Sequence, residues 1–114
     1  MKNFLLLLLI FPFCLLSQTS EVEEKKITAL INYVETLPNA SFIRNGKTYK
    51  AKDAANHLRR KRKSAGKRIK NVNNFIDGVA TKSYFTGRYY YIKFSDGTRK
   101  KLCDCLYAKL KEIN

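Results

Sequence analysis

Four stretches of the chain show the three- and four-residue spacing of apolar side chains that is typical of helices buried on one face. The first runs from Glu21 to Leu37, and Ser20 and Glu23 have the spacing of a capping box at its start. The second runs from 51 to 65 and ends at Gly66, and Asn71 can cap the third. The predicted buried positions are Ile27, Leu30, Ile31, Val34 and Leu37; Ala54, Ala55, Leu58 and Ala65; Val72, Phe75, Ile76, Val79 and Ala80; and, in a final helix, Leu106, Leu110 and Ile113.

Two β-hairpins are predicted between these helices. Asn45-Gly46, a pair that tolerates positive φ angles, centres the first, from 42 to 49, and Asp96-Gly97 joins the strand 89 to 94 to the strand 98 to 102. The sequence therefore predicts a single small α+β domain, in which helices pack on a small antiparallel sheet made of two β-hairpins, in the order α-ββ-α-α-ββ-α.

Several aromatic residues in the second half of the chain lie close to cations. Core packing and cross-strand pairing are the first explanation for these rings, which include Tyr84 and Phe85. Alternation along the strand places Tyr90, Ile92 and Phe94 on one face. Tyr89 and Tyr91 lie on the opposite face and are the plausible binders of bases or sugars.

The amino terminus has the pattern of a secretory signal peptide. Lys2 precedes an apolar run from Phe4 to Leu16, and small polar residues follow it. This run of thirteen residues, interrupted by Pro12, is shorter than the roughly 20 that span a bilayer, so an uncleaved anchor is the weaker interpretation. We expect cleavage after a position between 17 and 20, which divides the chain into a signal peptide, 1–19, and one domain, 20–114. The mature protein is then exported to the periplasm or the extracellular space without a transmembrane span.

Positive charge is the largest compositional signal. The chain has 23 Lys and Arg against 9 Asp and Glu, and loss of Lys2 with the signal lowers the formal charge from +14 to +13. The densest basic run is 59–63, on the second predicted helix, and Lys67, Arg68 and Lys70 follow it. Such a surface attracts polyanions by counterion release, or it is a solvated face that keeps the domain soluble. The partners left open are an anionic polymer, a lipid headgroup or an acidic protein; specific nucleic-acid recognition is not expected, and the oligomeric state is left open.

Few residues are suited to catalysis. His57 is the only histidine, and no nucleophile-elbow, paired-carboxylate or His-Glu-x-x-His pattern is present, so no catalytic residue is assigned. A non-enzymatic binding module is favoured over a small hydrolase that uses His57 on a polyanion, and an inhibitor or structural partner of another envelope protein is a further alternative. Cys103 and Cys105 could form a strained disulfide, stay free or bond to a partner. With one distant histidine they are a weak zinc signal, and no metal or cofactor is expected.

Residues spread over the domain resemble one known family. They are Phe42-Ile43-Arg44-Asn45-Gly46, Tyr49, Ala54-Ala55, His57-Leu58-Arg59, Lys61, Ala65-Gly66, Arg68-Ile69, Phe75-Ile76, Ser83, Thr86-Gly87, Tyr90-Tyr91-Ile92 and Asp96-Gly97. From about Ser41 to Ile113 the chain resembles the YfeK-like family of small bacterial exported proteins, whose function is unknown. The resemblance implies a periplasmic or secreted bacterial protein and transfers no catalytic role. Lys50 departs from the family pattern, which tends to have a helix-capping Ser or Thr there, and the Cys103-x-Cys105 pair is particular to this chain.

If the shared pattern marks a site, its polar members are the candidates for binding an anion. These are Arg44, His57, Arg59, Lys61, Arg68 and Ser83. His57 and Lys61 are four residues apart and therefore neighbours on one helix face, where they could form an anion pocket. Arg44 and Arg68 could equally be structural, by bonding helix-end carbonyls or the few acids.

Overall fold

The computed structural model describes residues 19–114, and the predicted signal peptide lies outside the described residues except for Thr19. The described elements follow the predicted order, α-ββ-α-α-ββ-α, which is confirmed. They are helix α1, Glu21–Thr36; strands β1, Ser41–Arg44, and β2, Lys47–Tyr49; helix α2, Ala51–Ala65; a 3-10 helix, Gly66–Arg68; helix α3, Val72–Gly78; strands β3, Tyr91–Lys93, and β4, Arg99–Lys101; and helix α4, Leu102–Ile113. Within this part of the chain, no helix combines the length and the apolar composition needed to cross a membrane.

The two predicted hairpins join into one antiparallel sheet with the strand order β2-β1-β3-β4, because β1 also pairs with β3. The register aligns two rows of residues across all four strands. The inner row is Tyr49, Phe42, Ile92 and Lys100, and the outer row is Thr48, Ile43, Tyr91 and Lys101. Phe42 and Ile92 of the inner row belong to the buried core that the helices also line.

Most positions predicted to be buried form the core. Phe75, Ile27 and Leu30 are among its largest fully buried side chains. Leu37 and Ala54 are only half-buried and pack against the edge of this core. The prediction for Ile113 is wrong: its side chain is exposed, because it is the last residue of α4 and lies beyond Leu110, where the buried stripe ends.

The second hairpin is shorter than predicted. The N–H of Tyr90 donates to the carbonyl of Thr81, and Tyr89 forms an isolated bridge with Lys82, so β3 starts only at Tyr91. At the other end, Leu102 already begins α4 and donates its N–H to the carbonyl of Tyr90. The Asn45-Gly46 turn is as predicted, with φ angles of 52° and 78°.

Half of the predicted capping box is present. The Ser20 side chain accepts a hydrogen bond from the Glu23 N–H at 3.3 Å, whereas the Glu23 carboxylate accepts one from the N–H of Val72 at 3.0 Å. That bond lowers the pKa of Glu23 and joins the start of α1 to the start of α3. Asn71 caps α3 as predicted, and α2 begins at Ala51 without a side-chain bond from Lys50.

Candidate anion-binding cleft

A cleft lies between α2, the β1–β2 hairpin and the segment 83–91. Two cavities, of about 270 and 460 Å³, form it, and both are lined by Arg44, His57, Arg60 and Tyr90. The smaller cavity is also lined by Phe42, Ile43, Tyr49, Asp53, Ala54, Leu58, Tyr91 and Leu102, and the larger by Asn45, Lys61, Ser64, Ser83, Tyr84 and Phe85.

Helical periodicity explains which residues of the basic run reach the cleft. His57, Arg60, Lys61 and Ser64 recur at spacings of three and four, so they share one face of α2. Each residue turns by about 100° around the helix axis, and Arg59 therefore points away from this face.

Lys61 is a clamp between α2 and the segment that follows α3. Its ammonium donates to the carbonyl oxygens of Val79 at 2.8 Å and Lys82 at 2.7 Å, and to the Tyr90 hydroxyl at 3.0 Å. It also lies 4.0 Å from the centroid of the Tyr84 ring. Because an ammonium has three hydrogens, these bonds use them all, and Lys61 supplies positive charge to the cleft rather than a free donor.

The pKa of Lys61 is lowered to about 8, first by burial and then by the charge of Arg44. The pKa of His57 is lowered to about 4 by burial and by the charges of Arg44, Lys61 and Arg60, so this imidazole is neutral at pH 7. Both shifts report first that the two groups are partly buried and then that positive charges lie close to them.

Tyr90 links the lysine to the histidine. Its hydroxyl accepts from Lys61 and lies 3.4 Å from His57 Nε2, and the two rings meet edge to face at a centroid distance of 5.8 Å. A neutral imidazole can accept a hydrogen bond, so the hydroxyl hydrogen of Tyr90 is free to be donated to Nε2. Burial is the first cause that raises the pKa of Tyr90, which keeps this hydroxyl protonated.

Arg44 extends from the end of β1 over Tyr49. Its Nη2 donates to the Tyr49 hydroxyl at 3.1 Å, and its guanidinium carbon lies 4.8 Å from the centroid of that ring. This contact holds the half-buried guanidinium in place and uses one of its five donors. Arg60 lies on the exposed rim, and among the described residues that line the cleft Asp53 is the one acid.

Two aromatic side chains at the mouth of the cleft do not pack in the core, which corrects the first explanation for them. Tyr84 is 59% exposed and Phe85 is 100% exposed. The Tyr84 hydroxyl donates to the carbonyl of Gly78, which fixes that ring, whereas the ring of Phe85 projects fully into solvent. Both rings are therefore accessible to a molecule that enters the cleft.

The structure brings together four of the six candidate residues, namely Arg44, His57, Lys61 and the buried Ser83. Arg59 lies apart from them: its Nη1 is 2.6 Å from a Glu35 oxygen, without hydrogen-bond alignment, and donates to Asn56 at 2.9 Å.

Arg68 is also outside the cleft, because its Nε donates to the carbonyl of Ala65 at 3.2 Å and caps the end of α2. Sequence reasoning missed Arg60 and Tyr90 as site residues. The helical spacing from His57 was the available signal for Arg60, and no signal distinguished the Tyr90 hydroxyl from a core ring.

Cys103 and Cys105 are free, half-buried thiols two positions apart in the first turn of α4. Such residues point about 200° apart around a helix, so a bond between them would require this turn to open. Burial is the main cause that raises the pKa of both thiols. The disulfide therefore stays a prediction. Residues 19–114 hold no group of three or more potential His, Cys, Asp or Glu metal ligands.

The fold and the cleft define a small basic α+β domain with a cationic, aromatic-lined cavity at one end of its sheet. The chain belongs to the DUF5329 family, a family of unknown function whose model matches residues 21–114. It is also 37% identical, over 68 residues, to the uncharacterized protein YfeK of Salmonella typhimurium. That match covers 60% of this chain and 57% of the relative, so the chain spans a little over half the length of this relative. The resemblance to a YfeK-like family is thereby confirmed. No solved structure matches the chain.

Proposed function

We propose that this protein is an exported, non-enzymatic binding protein whose cleft holds an anionic group of an envelope partner. The observation that carries the proposal is the convergence of Arg44, Arg60 and Lys61 on one cleft, in whose described lining Asp53 is the one acid. Arg44 reaches the cleft from a strand, whereas the other two cations reach it from α2.

The electrostatics of the cleft favour an anionic ligand. Burial, and after it the neighbouring positive charges, lowers the pKa values of His57 and Lys61, so an anion placed beside Arg44 and Lys61 would stabilise the charged form of the lysine. Arg44 keeps planar donors that suit a carboxylate or a phosphate. The aromatic rings of Tyr84 and Phe85 favour a ligand that offers an apolar surface beside its charge, as a sugar ring does.

A hydrolase that uses His57 has less support. A histidine with a pKa of about 4 is a weak base at neutral pH and holds no proton to donate as an acid. In the described cleft, the acid nearest in sequence is Asp53, four residues before His57 on α2, and no bond between them orients the ring as in a catalytic pair.

The test is a salt titration of binding, measured by fluorescence polarisation with labelled octagalacturonate as the probe. We expect the affinity to fall steeply as salt rises, because binding releases counterions. We expect the double variant Arg44→Gln, Arg60→Gln to bind about tenfold more weakly. A control with the same change in charge, Lys70→Gln, Lys111→Gln, alters exposed lysines outside the cleft and is expected to cost less than about threefold.

Several results would contradict the proposal. They are undetectable binding at low salt, binding that salt does not alter, and equal losses in the cleft and control variants. Because Arg44 contacts Tyr49, the thermal unfolding midpoint of each variant is measured, and the exposed Arg60→Gln alone serves as a second cleft variant.

Export is tested separately by the intact mass of the protein purified from its native host. We expect a chain that begins at one of residues 18 to 21, because small polar residues follow the apolar run there. The same spectrum reports whether Cys103 and Cys105 have lost two hydrogens to a disulfide. Full-length protein recovered from the cytosol would overturn the proposal of export.

A further inference from the structure

A third cavity, of about 420 Å³, lies on the outer face of the sheet, opposite to the core. Its lining comes from strands, from the β1–β2 turn and from the segment before β3, and includes no helical residue. We call this cavity the outer groove. It is lined by Ile43, Asn45, Gly46, Thr48, Arg88, Tyr89, Tyr91 and Arg99.

The outer groove repeats the chemistry of the cleft. It holds two arginines, Arg88 and Arg99, and two tyrosines, Tyr89 and Tyr91. No acid is among the described residues that line it. A third cation, Lys101, lies 4.0 Å from the centroid of the Tyr89 ring. Guanidinium groups bind carboxylates and phosphates with two parallel hydrogen bonds, so the groove suits an anionic unit.

The turn between β1 and β2 places Arg88 in this groove. Both terminal nitrogens of Arg88 would lie 3.7 Å from a Cβ at Gly46, so the guanidinium packs against the bare backbone of the turn. Gly46 itself has a φ of +78°, a conformation that L side chains rarely adopt. The Asn45-Gly46 pair that forms the hairpin turn therefore also forms one wall of the groove.

The groove and the cleft adjoin each other, because Ile43 and Tyr91 line both the groove and the smaller cavity of the cleft. Asn45 lines both the groove and the larger cavity of the cleft. Its side-chain oxygen accepts a hydrogen bond from the Thr86 hydroxyl at 2.6 Å. The residues just before Thr86 face the cleft, and those just after it face the groove. A chain molecule that left one cavity over this contact would enter the other.

We propose that the outer groove is a second anion-binding subsite. One acidic polysaccharide chain would then occupy the cleft and the outer groove together and pass over the Asn45–Thr86 contact. This inference rests on the function proposed for the cleft. Two linked sites of like charge favour a polymer over separate anions, because the second unit binds at a high effective concentration once the first is held. The tyrosines on both sides offer flat apolar faces to successive sugar rings.

The test compares digalacturonate with octagalacturonate, measured by isothermal titration calorimetry at low salt. We expect the octamer to bind at least about tenfold more tightly than the dimer. We expect Arg88→Gln, Arg99→Gln to remove most of this gain while the affinity for the dimer, which the cleft holds, changes less than about threefold. Arg44→Gln, Arg60→Gln is expected to weaken both ligands, and the Lys70→Gln, Lys111→Gln control to leave the gain intact.

The outcomes separate the two proposals. If the dimer binds through the cleft but the octamer gains nothing, or if the groove and control variants behave alike, the second subsite is wrong and the proposed function stands. If neither ligand binds, both are wrong. Oligo(dT) that binds as tightly as the octamer through the same arginines overturns the polysaccharide assignment. Unfolding midpoints are measured throughout, and Arg99→Gln, on an exposed strand position, replaces the double variant if that variant does not fold.

Discussion

Acid is expected to destabilise this protein through His57 from about pH 6.5 downwards, before most carboxylates are protonated. The pKa of this imidazole is about 4 in the folded protein against 6.5 ordinarily, because the folded state half buries it among Arg44, Lys61 and Arg60. The unfolded chain therefore takes up the proton first as the pH falls. Stability from neutral His57 is complete above about pH 6.5 and is lost as the pH falls to about 4.

The magnitude follows from the two pKa values. A fall from 6.5 to about 4 corresponds to about 3.4 kcal/mol if the full effect is realised. His57 is only half-buried, and solvent screening reduces the interaction with its charged neighbours, so we expect a loss of about 1–2 kcal/mol.

The assay is urea unfolding of the wild-type protein and of His57→Gln at a series of pH values across this range. Glutamine has no charge to gain, so the free energy of unfolding of the variant should change less between about pH 7 and pH 4. The difference between the two proteins cancels the contributions of carboxylates such as Glu23 and Asp96, whose pKa values are lowered and which the substitution leaves in place.

A second variant separates burial from hydrogen bonding. Tyr90→Phe removes the hydroxyl that lies 3.4 Å from His57 Nε2 but keeps the ring that covers the imidazole. Because burial is the first cause of the lowered pKa, we expect Tyr90→Phe to retain most of the wild-type pH dependence. Identical pH profiles for wild type and His57→Gln would refute the reasoning.

Two further predictions concern contacts that join distant parts of the fold. Glu23→Gln weakens the bond to the Val72 N–H and should lower the free energy of unfolding by about 1 kcal/mol, measured in urea, whereas Glu21→Gln in the same helical turn should cost less. Asn45→Ala and Asn45→Gly both lose the bond to Thr86, but alanine, unlike glycine, is disfavoured at the positive φ of 52°. The thermal midpoint of Asn45→Ala should therefore fall further than that of Asn45→Gly. A midpoint for Asn45→Ala at or above that of Asn45→Gly would contradict this account of the turn.

Local patterns in the sequence were sufficient for the order of the helices and hairpins, but not for the bounds of the second hairpin or for the 3-10 helix. The helix predicted from 51 to 65 is observed with those bounds, and Asn45-Gly46 forms the predicted turn. Both features depend on residues within a few positions of one another, whose spacing and permitted φ angles act before any long-range contact forms. Recognition of the family drew on the same local patterns, spread over the domain.

The tertiary structure alone decided how those elements meet and which charges are free. The sequence alone does not distinguish Arg59 from Arg44, since both are basic residues. In the fold, α1 brings Glu35 to Arg59, whereas Arg44 lies on the Tyr49 ring at the mouth of a cavity. Lys61 and Tyr90 are 29 positions apart, and they meet only because α2 packs beside the segment that leads into β3. The sequence determined the order of the elements and the excess of positive charge. The rotation of each helix against the sheet determined which cations share a cavity, because contacts between distant residues depend on packing and not on local spacing.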